Sequence, residues 1–144
     1  VFIETAIAIA VEAHKGQKDK GGEPYILHAL RVMHTVQGNE EIKAAAVLHD
    51  VLEDTKVTEH DLREAFIPER TIELVKILSH KSRDEVAYFH YLQKLSGDPG
   101  AVAIKLADLK DNMDVTRLFT ITPKDASRLE KYNTAYKYLR EVMQ

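Results

Sequence analysis

The stretch AAAVLHDVLEDT, residues 44–55, runs from small and branched apolar residues into one imidazole and three carboxylates. Read as a helix, it advances about 100° per residue, so His49 and Glu53 share one face with Asp50 and Asp54 beside them. Leu48, Val51 and Leu52 point elsewhere, and Ala45 and Ala46 lie one turn earlier on the polar side, where small side chains leave room for an approaching group. A solvated surface face is the plain reading of such a cluster. Two features oppose it. Three acids at a helix C-terminus work against the macrodipole, which favours cations there, and the surrounding Ala and Leu residues suit a mostly buried helix. A bound cation would relieve both problems, because it holds nearby carboxylates ionised.

Helical spacing recurs outward from this stretch, and no alternating run is long enough for a strand. VFIETAIAIAVEAH, at the start of the chain, carries a stripe of Ile3, Ile7, Ala10 and Val11 and ends near Gly16. KDKGGEPY is a loop by composition, and a helix should begin near Ile26 and run through Leu30, Val32 and Met33. GNE breaks the chain before the helix carrying 44–55. Beyond it, Thr58 and Asp61 resemble a capping arrangement for EHDLREAF, Pro68 suits the first turn of PERTIELVKILS, and SRDEVAYFHYLQKL is amphipathic. SGDP turns the chain before GAVAIKLADLKDNM. Thr122-Pro123 pairs an N-cap with a proline at the first helical position to open KDASRLEKYNTAYKYLREVM. The expectation is an all-α, compact single domain over residues 1–144, a bundle of about seven or eight helices without repeats.

The 144 residues suffice for one buried core. A formal charge of −3 with scattered Lys and Arg gives no basic stripe, so nucleic acid is not an expected partner. No apolar run approaches the roughly 20 residues that span a membrane. The lack of cysteine excludes disulfides and thiolate metal sites and suits a reducing compartment. Cytoplasmic localisation is the expectation, with no signal peptide. The chain begins at Val1 rather than Met, which leaves its native start open.

A metal needs further ligands. Asp108 follows the apolar run AVAIKLA, where an unpaired buried carboxylate would cost several kcal/mol. His28 follows YIL at the expected start of a helix, where donation to a carbonyl is its plain alternative role. Two imidazoles and two carboxylates suit Mn, Fe or Zn better than Ca or Mg. His14, at the end of the first helix, reads as a structural hydrogen-bonding residue near the site, and His34, His60, His80 and His90 read as helix surface.

The order AHKGQ, GGEPYILH, AAVLHDVLEDT and IKLADLKDNM resembles the HD-domain metal-dependent phosphohydrolases. It is most similar to the hydrolase domain of the stringent-response alarmone enzymes and the small alarmone hydrolases, from about Glu4 to Leu118. That resemblance implies metal ligands at His28, His49, Asp50 and Asp108, with Mn²⁺ as the expected ion and Glu53 and Asp54 as the acid–base pair. It also implies substrate contacts at Lys20, Tyr25 and Asn112. The reaction implied is removal of the 3′-pyrophosphate from the guanosine alarmones (p)ppGpp, which the chain would degrade and not make.

The pattern departs at Asp19, where the family loop has an arginine packed on the purine; an acid offers no cation–π stacking and would repel a polyphosphate. Leu109, Asp111 and Ala29 also depart. The alternatives are therefore a phosphohydrolase for another nucleotide or dinucleotide, and a domain that senses a nucleotide without cleaving it. Oligomeric state stays open, since AYFHYLQKL and the helix bearing Tyr132, Tyr136 and Tyr138 could pack within or between chains.

Overall fold

The computed structural model describes residues 2–80 and 84–143, and among these it is all-helical. The helices are α1 (Phe2–Ala13), α2 (Ile26–Thr35), α3 (Glu40–Leu48), α4 (Val51–Asp54), α5 (Glu59–Glu64), α6 (Glu69–Leu78), α7 (Glu85–Leu95), α8 (Pro99–Asn112) and α9 (Pro123–Val142). A 3₁₀ turn, Val115–Arg117, links the last two.

Most ends follow local chemistry. Thr58 and Thr122 each form a reciprocal capping box, with Asp61 and Asp125. Asp98 accepts from the Gly100 and Ala101 amides and also takes a two-pronged ion pair from Arg70, at 2.7 and 2.8 Å, fixing the start of α8. Pro68 occupies the N-cap position of α6, one residue outside the expected first turn, and Asp84 caps α7. Ser82 and Arg83, at the head of the expected SRDE segment, lie outside the described residues.

Helix α3 is the centre of the bundle and packs against α1, α2, α6 and α8. Every side chain from Ala44 to Leu48 is fully buried. Ala45 and Ala46 therefore admit neighbouring helices closely; they do not leave the open room expected for a ligand. On α1 the buried stripe is Ala6 and Ala10, while Val11 is exposed, so the stripe sits rotated from the one expected. Tyr88, Tyr91, Tyr132, Tyr136 and Tyr138 pack against the core of their own chain.

One expected helix is two. The His49 backbone N–H and Nδ1 both bond to the Ala46 carbonyl, at 3.4 and 2.7 Å. That carbonyl is the one the Asp50 N–H would use in an unbroken helix. The chain breaks, Asp50 takes φ −105° and ψ 0°, and one-turn α4 follows. This break, rather than a shared helix face, brings the titratable side chains together.

Candidate functional site

Three helices deliver the cluster. His28 comes from the first turn of α2, His49 and Asp50 from the α3–α4 break, and Asp108 from the third turn of α8. His28 Nε2 lies 2.9 Å and His49 Nε2 3.2 Å from the same oxygen, Asp108 Oδ1. His49 Nε2 is also 3.1 Å from Asp50 Oδ2. Donor atoms of His28, His49 and Asp50 all fall within 4.8 Å of one another, as do those of Asp50, Glu53 and Asp54. His28, His49 and Asp108 are no more than 5% exposed.

Each imidazole is held by its other nitrogen. His49 Nδ1 meets the Ala46 carbonyl, and His28 Nδ1 meets Asp111 Oδ2 at 2.6 Å. Such outer partners fix ring orientation and leave Nε2 for a metal. Asp111 is in turn gripped by Arg31, at 2.8 and 3.1 Å. Tyr25 donates its hydroxyl to Asp50 Oδ2, and Lys105 Nζ lies 2.9 Å from Asp108 Oδ2.

The electrostatics fit a cation. Burial, then the charges of Asp108, Glu53 and Asp54, push the Asp50 carboxyl well above the usual carboxylate range. Asp108 stands well below that range: burial opposes its ionisation, but Lys105, His49 and His28 outweigh it. His28, against its own burial, is raised to about 9 by Asp108 and Asp111. Two carboxylates driven in opposite directions, beside two imidazoles aimed at the same point, form a donor set that a divalent cation would satisfy.

A cavity of about 680 Å³ opens beside the cluster, lined by His28, Asp54, Lys20, Tyr25, Asn112 and, on the far wall, Arg128 and Tyr132 among others. All three residues expected to contact substrate therefore reach one cavity. Asn112 also donates to Asp108 Oδ1 at 3.1 Å. Of the acid pair, Asp54 is exposed and lines the cavity, whereas Glu53 is half-buried and accepts the His80 backbone N–H at 2.5 Å. Burial raises the Glu53 carboxyl, with that N–H opposing it.

Several expectations change. His80 is not ordinary helix surface: it is half-buried, its amide holds Glu53, and its ring stacks on Tyr91 at 4.5 Å. Asp19 turns inward, its Oδ1 accepting from the Gly21 and Glu23 amides at 2.9 Å each, and Arg117 faces its other oxygen at 3.7 Å. It builds the loop, so the expected repulsion of a polyphosphate is blunted. Leu109 is fully buried in the core and Ala29 is buried on α2. The residues missed from sequence are Asp111 and Lys105; their positions three residues either side of Asp108, on one helix, were the available signal.

The family described as HD domain matches residues 6–130, and the chain belongs to that family. HD domains imply a divalent metal, and the His/Asp cluster could hold one. Within the family, the guanosine-3′,5′-bis(diphosphate) 3′-pyrophosphohydrolase of Aquifex aeolicus is 36% identical over 126 residues, covering 81% of this chain and 18% of that protein. The Haemophilus influenzae protein of the same name is 35% identical over 135 residues, covering 85% and 20%. This chain thus spans about a fifth of the length of these curated relatives. A solved structure described as a metazoan ortholog of SpoT that hydrolyzes ppGpp matches the fold with a TM-score of 0.80 at 23% identity, over 96% of this chain and 85% of that one.

Proposed function

We propose that this domain is a metal-dependent nucleotide pyrophosphohydrolase that removes the 3′-pyrophosphate from ppGpp and pppGpp. The observation that carries the reading is the convergence of His28 Nε2 and His49 Nε2 on Asp108 and Asp50, beside a cavity that also presents Asp54, Lys20, Tyr25 and Asn112. The names of the relatives supply the substrate.

His28, His49, Asp50 and Asp108 would hold the ion, with Mn²⁺ the expected one. When bound, a divalent cation supplies Lewis acidity toward a phosphoryl oxygen and acidifies a neighbouring water. The chain does the rest. Asp54, free to face the cavity, orients the attacking water and takes its proton. Glu53, close beside Asp54 and with its carboxyl raised by burial, shares that proton before Asp54 returns it to the 3′-oxygen of the departing nucleotide. Such acid–base assistance is typically worth about 10²–10⁴ in rate. Lys20 meets phosphate, Tyr25 holds Asp50 while shaping the wall, and Asn112 contacts the nucleotide. We take residues 1–144 as one catalytic domain working in the cytoplasm on a small-molecule substrate.

A second reading, hydrolysis of another nucleotide, is favoured by Asp19, because the loop presents no guanidinium for purine stacking. The deciding experiment measures pyrophosphate and phosphate release from a nucleotide panel that includes ppGpp, with Mn²⁺ and after chelation. Pyrophosphate from ppGpp, lost on chelation, supports the first reading. Turnover confined to other nucleotides moves the substrate, and no turnover of any nucleotide removes the enzymatic reading and leaves a sensor.

A further inference from the structure

The sequence AHKGQ, residues 13–17, ends α1 and takes no part in the chemistry above, yet its Gln17 side chain is hydrogen-bonded at both polar atoms. Gly16 has φ +85°, a left-handed turn that a side chain would strain. That turn lets the Gln17 N–H donate to the His14 carbonyl at 3.0 Å and its carbonyl accept from the Tyr25 N–H at 2.9 Å. The Gln17 side chain then bridges outward. Its Oε1 lies 2.9 Å from His14 Nδ1, and its Nε2 donates to the Asp54 carbonyl at 3.1 Å. Gln17 thus joins the end of α1 to the acid turn and, through Tyr25, to the side chain that holds Asp50.

The directions of these bonds place a proton. An amide that donates through Nε2 offers His14 only an acceptor, so Nδ1 must carry the hydrogen. His14 is 2% exposed, its Nε2 has no hydrogen-bond partner, and burial pushes its pKa down. The bonding pattern is that of an Nδ1–H imidazole with a bare Nε2.

Helix α4 is a single turn and cannot fix its own direction. Besides the buried Val51 and the Tyr25 bond to Asp50, it is held from outside by the His80 amide on Glu53 and by Gln17 on the Asp54 carbonyl. Gln17 and Asp54 together also wall the substrate cavity from a neighbouring groove lined by Glu12, Thr55 and Lys56. We infer that Gln17 is a positioning residue for Asp54, and that His14 holds Gln17 in register. This rests on the reading of Asp54 as a member of the acid–base pair.

The test uses Gln17→Leu together with His14→Asn and His14→Gln, because an Asn amide stands where Nδ1 does and a Gln amide where Nε2 does. Gln17→Leu should lower kcat by about 10–100-fold, with KM and the Mn²⁺ dissociation constant within about threefold of the parent. His14→Asn should keep most of the rate, and His14→Gln should lose it as Gln17→Leu does. Unchanged kcat in Gln17→Leu, a rise in KM alone, or equal loss in both His14 variants would overturn the inference. If the parent chain hydrolyses no nucleotide in the panel, the functional reading fails on its own. The positioning is then decided by ¹⁵N NMR of the His14 ring. An Nδ1–H tautomer that is lost in Gln17→Leu supports the bridge, and an Nε2–H tautomer in the parent overturns it.

Discussion

At the scale of single residues, the two imidazoles are set by what lies behind them. His28 turns Nε2 to Asp108 while Asp111, itself held by Arg31, takes its other nitrogen. Asp111→Ala should therefore weaken Mn²⁺ binding by about 10–100-fold, read by calorimetric titration, while leaving the fold intact. His49→Ala or Asp50→Ala should abolish stoichiometric metal, read by elemental analysis, and metal retained at one per chain would sink the assignment of the cluster. Glu53→Ala should keep the metal and lose about 10²–10⁴ in turnover. The candidate ligands were legible because paired His and Asp are rare on apolar helices. Asp111 and Lys105 were not, since a charge near a helix end is usually solvated, and it is the approach of α2 to α8 that brings His28 and Arg31 to Asp111.

At the scale of elements, α8 carries Asp108 and Asn112, and its start is fixed by Asp98. Losing that cap typically costs about 0.5–2 kcal/mol, so Asp98→Ala should lower stability by that order in urea titrations. Asp98→Asn, which keeps the cap and loses the charge toward Arg70, should cost less. Arg70 beside Asp98 holds its carboxyl below the ordinary 3.8. A carboxyl depressed on folding adds stability above its unfolded pKa and loses it as the pH falls through the folded one. The gap between the parent chain and Asp98→Asn should be full at pH 7 and close as the pH drops below 3.8. Helix order and the Thr58 and Thr122 caps could be read along the chain, because a capping box is a local exchange between residues three apart. The split into α3 and α4 could not, because it depends on a side chain taking the carbonyl that the next amide needed.

At the scale of the molecule, the cluster ties α2, the α3–α4 break and α8 into one unit, so an ion bound there should stabilise the whole fold. A ligand that binds only the folded chain adds about 4 kcal/mol at a thousandfold excess over its dissociation constant. Chelation should lower the Tm, Mn²⁺ should restore it, and His49→Ala should remove the response, all measurable by calorimetry. No described helix is long and apolar enough to cross a membrane. The departures at Asp19, Leu109 and Ala29 resolve at this scale too, as a loop brace and two buried packing residues.

By itself the amino-acid order determined the helical class and the sequence of helices, and its likeness to the HD-domain phosphohydrolases pointed to four candidate metal ligands. Periodicity, caps and the rarity of buried charge are properties of neighbouring residues, and they survive without knowledge of the fold. Only the tertiary structure decided that the cluster forms by breaking a helix, that Asp54 and not Glu53 faces the cavity, and that Asp111 and Gln17 stand behind the site. The break turns on a local competition for the Ala46 carbonyl, but the others depend on which element packs where, with partners 27 to 83 residues apart. No local pattern encodes such distances, because burial and orientation are settled by the packing of the whole chain.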